Sequence, residues 1–100
     1  MELRAIVPGT CSTVATGAVA AVLATGLATG ARYRFAVTAA AWVRQSADAT
    51  ANPAAADATS VFVSPTESIL IDGALGAEVS VIQDAAAGKA SLVRLREAPP

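Results

Sequence analysis

The chain has 100 residues, a formal net charge of −1, no histidine and a single cysteine. Without histidine or a cysteine pair it lacks the commonest general base, the usual metal-ligand sets and any internal disulfide. Its seven Lys and Arg form no basic stripe, which argues against direct nucleic-acid binding.

The hydrophobic fraction is 54%, but aromatics supply 4% and alanine accounts for 26 residues. Alanine contributes little burial, so the core must rest on a few larger side chains. The expected set is Tyr33, Phe35, Val37, Trp42, Val43, Val61, Phe62, Val63, Ile69, Ile71, Val79, Val81, Val93 and Leu95. Such a thin core gains from association, and a homo-oligomer is expected. One domain is expected over 1–97, with 98–100 as a tail.

The first predicted strand is Glu2–Val7, stopped by Pro8-Gly9. Ser12–Thr16 and Val19–Ala24 follow, separated by Gly17. A helical reading of this alanine-rich third fails on its glycines and on the β-branched Val and Thr between them. The uncharged run from Ala5 to Ala31 contains Pro8, glycines and many threonines, a poor composition for a membrane span. Met1-Glu2-Leu3-Arg4 is a poor start for a signal peptide, because Glu2 offsets Arg4. No membrane association is expected. Cys11 is expected to be a small buried or half-buried apolar residue.

Ala31–Thr38 alternates, with Tyr33, Phe35 and Val37 on one face. Ala41–Gln45 restarts the pattern, with Trp42 and Val43 on opposite faces. Two strands joined by a corner at Thr38–Ala41 account for this; a bulge inside one bent strand is the alternative. Arg32, Arg34 and Arg44 would share a face near that corner. Ser46–Ala58 is a long loop of small and polar residues around Asn52-Pro53, either an exposed crossover between sheets or an arm reaching a neighbouring subunit. Asp48 and Asp57 flank it and could approach one another.

Thr59–Ser64 is the next strand, ended by Pro65, and Ser68–Ile71 follows before the turn at Asp72-Gly73. Ala77–Gln83 and Lys89–Arg96 are expected to pair as a hairpin across Asp84–Gly88. Asp72 and Asp84 are expected to serve their own turns. About seven to eight short strands in period two predict an all-β fold, a small antiparallel β-sandwich or jelly-roll-like barrel. The serines lack a histidine partner and the glycines form no phosphate-cradling motif. No catalytic residue, cofactor or metal site is expected.

An ordered series of short pieces carries a resemblance. Arg32-Tyr33-Arg34-Phe35-Ala36-Val37 is followed by Ala41-Trp42-Val43-Arg44, a small-residue loop, and Ser60-Val61-Phe62-Val63-Ser64-Pro65. Glu67-Ser68-Ile69-Leu70-Ile71, Val79-Ser80-Val81-Ile82 and Gly88-Lys89-Ala90-Ser91-Leu92-Val93 complete it. In this order the pieces resemble small accessory proteins of tailed bacteriophage virions, the head decoration (cement) type among them. The resemblance implies a non-enzymatic protein made in the bacterial cytoplasm and placed on the capsid surface. Its partner would be the major capsid protein or another virion protein, and it would stabilise the head by bridging shell subunits. Trp42, Arg44, Asn52, Pro53 and Phe62 are the candidate contacts. A tail- or fibre-associated module that binds carbohydrate or a receptor is the alternative, with exposed aromatics as its requirement.

Overall fold

The structure, a computed structural model, describes residues 4–6 and 10–97. Among them are nine strands: β1 (Arg4–Ile6), β2 (Ser12–Ala15), β3 (Ala21–Ala24), β4 (Arg32–Val37), β5 (Ala41–Ser46), β6 (Val61–Val63), β7 (Ser68–Asp72), β8 (Glu78–Gln83) and β9 (Lys89–Glu97). One 3₁₀ turn, Gly73–Leu75, lies between β7 and β8. No helix among these residues is long and apolar enough to cross a membrane. The predicted tail and the outer residues of Glu2–Val7 lie outside the described residues.

The pairing is nested. β2 pairs β9, β3 pairs β8, β4 pairs β7 and β5 pairs β6, all antiparallel. Two further ladders, β4 with β9 and β5 with β8, join these pairs into two sheets. The first sheet runs β1/β2–β9–β4–β7, with β1 and β2 end to end on one edge of β9. The second runs β3–β8–β5–β6. A double ribbon folded over in this way is a jelly roll, so the all-β sandwich expectation holds.

Period two assigns the faces. β4 buries Tyr33, Phe35 and Val37 and turns Arg32 and Arg34 outward. β7 adds Ile71 and β9 adds Ala90 and Leu92 to the same layer. Across from them stand Val79 and Val81 of β8, Ala41 and Val43 of β5, and Val63 of β6. Phe35 is the largest wholly buried side chain. Small residues complete the interior: Ala31, Ala41 and Ala90 are buried in the core cluster, with Leu23 from β3.

The corner between β4 and β5 carries the chain from one sheet to the other. Thr38 N donates to Lys89 O at 2.9 Å, and Lys89 N donates back to Thr38 Oγ1 at 2.8 Å. Asp84 N donates to Ala40 O at 3.1 Å. A Cβ on Gly88 would lie 2.8 Å from Ala39 Cβ and from Thr38 Oγ1. This close approach leaves no room for a side chain at position 88. At the other end Gln45 Nε2 donates to Asp72 O at 2.6 Å and to Gly76 O at 2.8 Å, clasping the 3₁₀ turn.

Several expectations are corrected. β8 and β9 do not form a hairpin: β8 belongs to the second sheet and β9 to the first, so Asp84–Gly88 is a second crossing beside the first corner. Each strand instead satisfies its backbone against a sequence-distant partner. The Ser46–Ala58 loop is not a crossover, because β5 and β6 are neighbours in one sheet. Trp42, Val61 and Phe62 are not core residues. Trp42 and Phe62 stand on the outward row of the second sheet, and Val61 is exposed on its β6 edge strand. Val93 and Ile69 are half-buried rather than buried. Arg32, Arg34 and Arg44 do not share a face: the corner puts Arg44 on the outward row of the second sheet and the other two on that of the first. Cys11 is exposed.

Candidate functional site

The five predicted contact residues converge on the outward side of the second sheet. Trp42 and Arg44 are two apart on β5 and therefore share a face. Phe62 is the register partner of Trp42 on β6. The two rings meet edge to face, with centroids 5.3 Å apart and planes at 66°. Trp42 is half-buried, while Phe62 keeps 44% of its surface exposed. Trp42 Nε1 donates to Asp84 Oδ1 at 3.0 Å, which fixes the indole over the sheet. The Asp84 carboxylate thus serves the indole and not, as expected, its own turn; Asp72 does cap its turn, accepting from Ala74 N at 2.9 Å.

The long loop folds back over this same face. Ala49 N donates to Glu78 Oε1 at 2.8 Å, and Ala54 N donates to Ser80 Oγ at 3.0 Å. Both acceptors lie on β8, opposite Ser46 and Arg44 of β5. Arg44 Nη2 donates to Asn52 Oδ1 at 3.4 Å. Ala49 and Ala54 are consequently buried, while Pro53 between the anchors is exposed. The loop is a strap on the sheet: Ala49 N and Ala54 N are satisfied by side chains beneath it, and Thr50 N, Ala51 N and Asn52 N by Asp48 within it.

Asp48 and Asp57 do not come together as a carboxylate pair. Asp48 Oδ1 accepts from Thr50 N at 3.0 Å and Ala51 N at 3.1 Å. Asp57 Oδ1 accepts from Thr59 N at 2.8 Å and from Thr59 Oγ1. The Thr59 hydroxyl, then the Thr59 amide, then the Arg44 charge hold the Asp57 carboxyl below its ordinary range. Among the described residues no group of three or more His, Cys, Asp or Glu could hold a metal.

Sequence reasoning missed Ser80 and Glu78 as anchors. A serine on the outward row of a valine-rich strand, with small residues in the loop above, was the available signal. Large apolar side chains are exposed on this face and around it: Val22 beside Ser80, Phe62, and Val61 on β6. On the opposite sheet Leu70 is 56% exposed beside Arg34.

The sequence matches no protein-family model and no curated protein. The fold is similar to a solved structure from Bacillus endospore appendages, a family of disulfide-linked pili. The TM-score is 0.53 at 13% identity, covering 98% of this chain and 89% of that one. The likeness is one of fold.

Proposed function

We propose that this chain is a non-enzymatic structural subunit that works by packing its outer surfaces against other proteins in a repeated assembly. The observation that carries this reading is the outer surface itself. Val22, Phe62 and Leu70 are exposed on the two sheet faces, on a chain whose interior is padded with alanine. Packing against neighbours in an assembly would cover these side chains and add burial that an alanine-padded interior supplies sparingly. The likeness in fold to a pilus-forming protein supports a structural role over a catalytic one.

The assembly that the sequence resemblance implies is a phage head. There the chain would sit on the capsid surface and bind the major capsid protein or another virion protein, through Trp42, Arg44, Asn52, Pro53 and Phe62. The fold likeness favours a second setting, a bacterial surface appendage. The residues in hand supply one exposed thiol, Cys11, which can covalently link two copies but cannot chain them. Any extended array of these residues rests on non-covalent contacts.

Quantitative mass spectrometry of virions and appendages purified from the source tests the proposal. A copy number near that of the most abundant shell protein, or a simple fraction of it, supports lattice decoration. Dominance in filaments supports the appendage. Absence from both overturns the structural reading, and carbohydrate recognition through Trp42 and Phe62 then becomes the reading to pursue.

A further inference from the structure

The charges of this molecule are divided unevenly between its two sheets: strands of the first carry six cations against two carboxylates, Asp72 and Glu97. Six of the seven cations, Arg4, Arg32, Arg34, Lys89, Arg94 and Arg96, belong to strands of the first sheet. Of these, Arg32, Arg34 and Lys89 stand on its outward rows by register. Arg34 has no carboxylate partner among the described residues. Arg32 is 49% exposed and reaches Asp72 only at 4.0 Å, while that carboxylate also caps the 3₁₀ turn. The second sheet carries the opposite sign. Asp48 and Asp57 on its strap and Asp84 beside Trp42 are exposed, with Glu78 half-buried beneath. Its one cation, Arg44, is half-buried and engaged with Asn52.

The two outward faces of a sandwich point in opposite directions. Each also exposes large apolar side chains, Leu70 on the basic side and Val22 and Phe62 on the acidic side. We infer that the basic face of one copy docks on the acidic strap face of a second copy. The occupant is another copy of this chain because one molecule carries both complementary surfaces, back to back. Opposite charges select this register, and like faces repel. A contact between unlike faces is heterologous, and it propagates into chains unless rotation closes it. The inference rests on the proposed role as an assembly subunit and names the contact by which copies meet.

Sedimentation equilibrium of the full chain is the test, at about 20 mM and about 500 mM salt, where the screening length falls from roughly 20 Å to roughly 4 Å. The association constant is expected to fall about tenfold or more at the higher salt. Two reversed variants follow: Arg32→Glu with Arg34→Glu, and Asp57→Lys with Asp84→Lys. Each alone should be monomeric, since its two faces now carry the same sign. An equal mixture should associate again, because every contact between unlike variants is complementary. The triple change Asp48→Asn, Asp57→Asn, Asp84→Asn keeps the local acceptors, removes the charge and should weaken association even if the lysine variant misfolds. A monomeric parent chain at low salt, or folded variants that fail to rescue one another, overturns the inference. Abundance in purified particles is measured separately, so a failed contact and a failed subunit role are told apart.

Discussion

Phe35 and Phe62 show how position decides what an aromatic contributes. Phe35 is 0% exposed at the centre of the core, whereas Phe62 sits on the rim of an edge strand. Phe35→Ala should cost about 3–5 kcal/mol, and Phe62→Ala less than about 1 kcal/mol. Thermal denaturation of the two variants would read the difference. Glycines divide in the same manner. A Cβ on Gly73 would lie 2.1 Å from Ala28 O, and both backbones are held, Gly73 N donating to Ala31 O and Ala31 N donating to Ala28 O. Nothing lies within 4 Å of a Cβ on Gly17. Gly73→Ala is expected to destabilise by about 2–3 kcal/mol, and Gly17→Ala to be within about 1 kcal/mol of neutral, by urea titration.

The strap over the second sheet is held by side chains, not by a ladder. Ser80 Oγ accepts from the buried Ala54 N, so Ser80→Ala leaves that donor without a partner. The expected cost is about 1–3 kcal/mol. Proteolysis should become faster within 47–60, with cleavage elsewhere unchanged. The strap also responds to acid. Because Asp57 holds its proton less tightly in the folded chain than in the unfolded one, its contribution is present above the ordinary aspartate range. That contribution is lost as pH falls through the lower, folded value. Following the Thr59 amide resonance against pH should show a midpoint below that of an ordinary aspartate. An ordinary midpoint there would mean that the Thr59 bonds do not persist in solution.

At the scale of the molecule, the jelly roll pairs residues far apart in sequence: Ala15 with Lys89, and Ala24 with Val79. Loop closure therefore precedes most of the stabilising contacts. Refolding is expected in milliseconds to seconds rather than microseconds, by stopped-flow fluorescence of Trp42. The same fluorophore separates the two functional classes. Trp42→Ala removes the edge-to-face pair and the bond to Asp84 but leaves the interior intact. A structural subunit loses attachment to its assembly, whereas a carbohydrate-binding module loses ligand with its melting curve nearly unchanged.

Much of this was legible in the residues. Alternation in Arg32–Val37 assigned its faces, and the adjacency of Trp42 and Val43 marked the corner, because side chains in a strand must alternate. Turn residues placed the strand ends within a few positions. Local pattern carries no information about which strand lies beside which, and the errors followed from that. The proximity of β8 to β9 in sequence suggested a hairpin, but the corner sends them to different sheets. Trp42 and Phe62 read as core because they are large, yet the row they occupy faces outward. Composition excluded histidine chemistry and internal disulfides outright. Only the tertiary structure divided the charges unevenly between two faces, because that depends on strand partners chosen by burial across the whole chain.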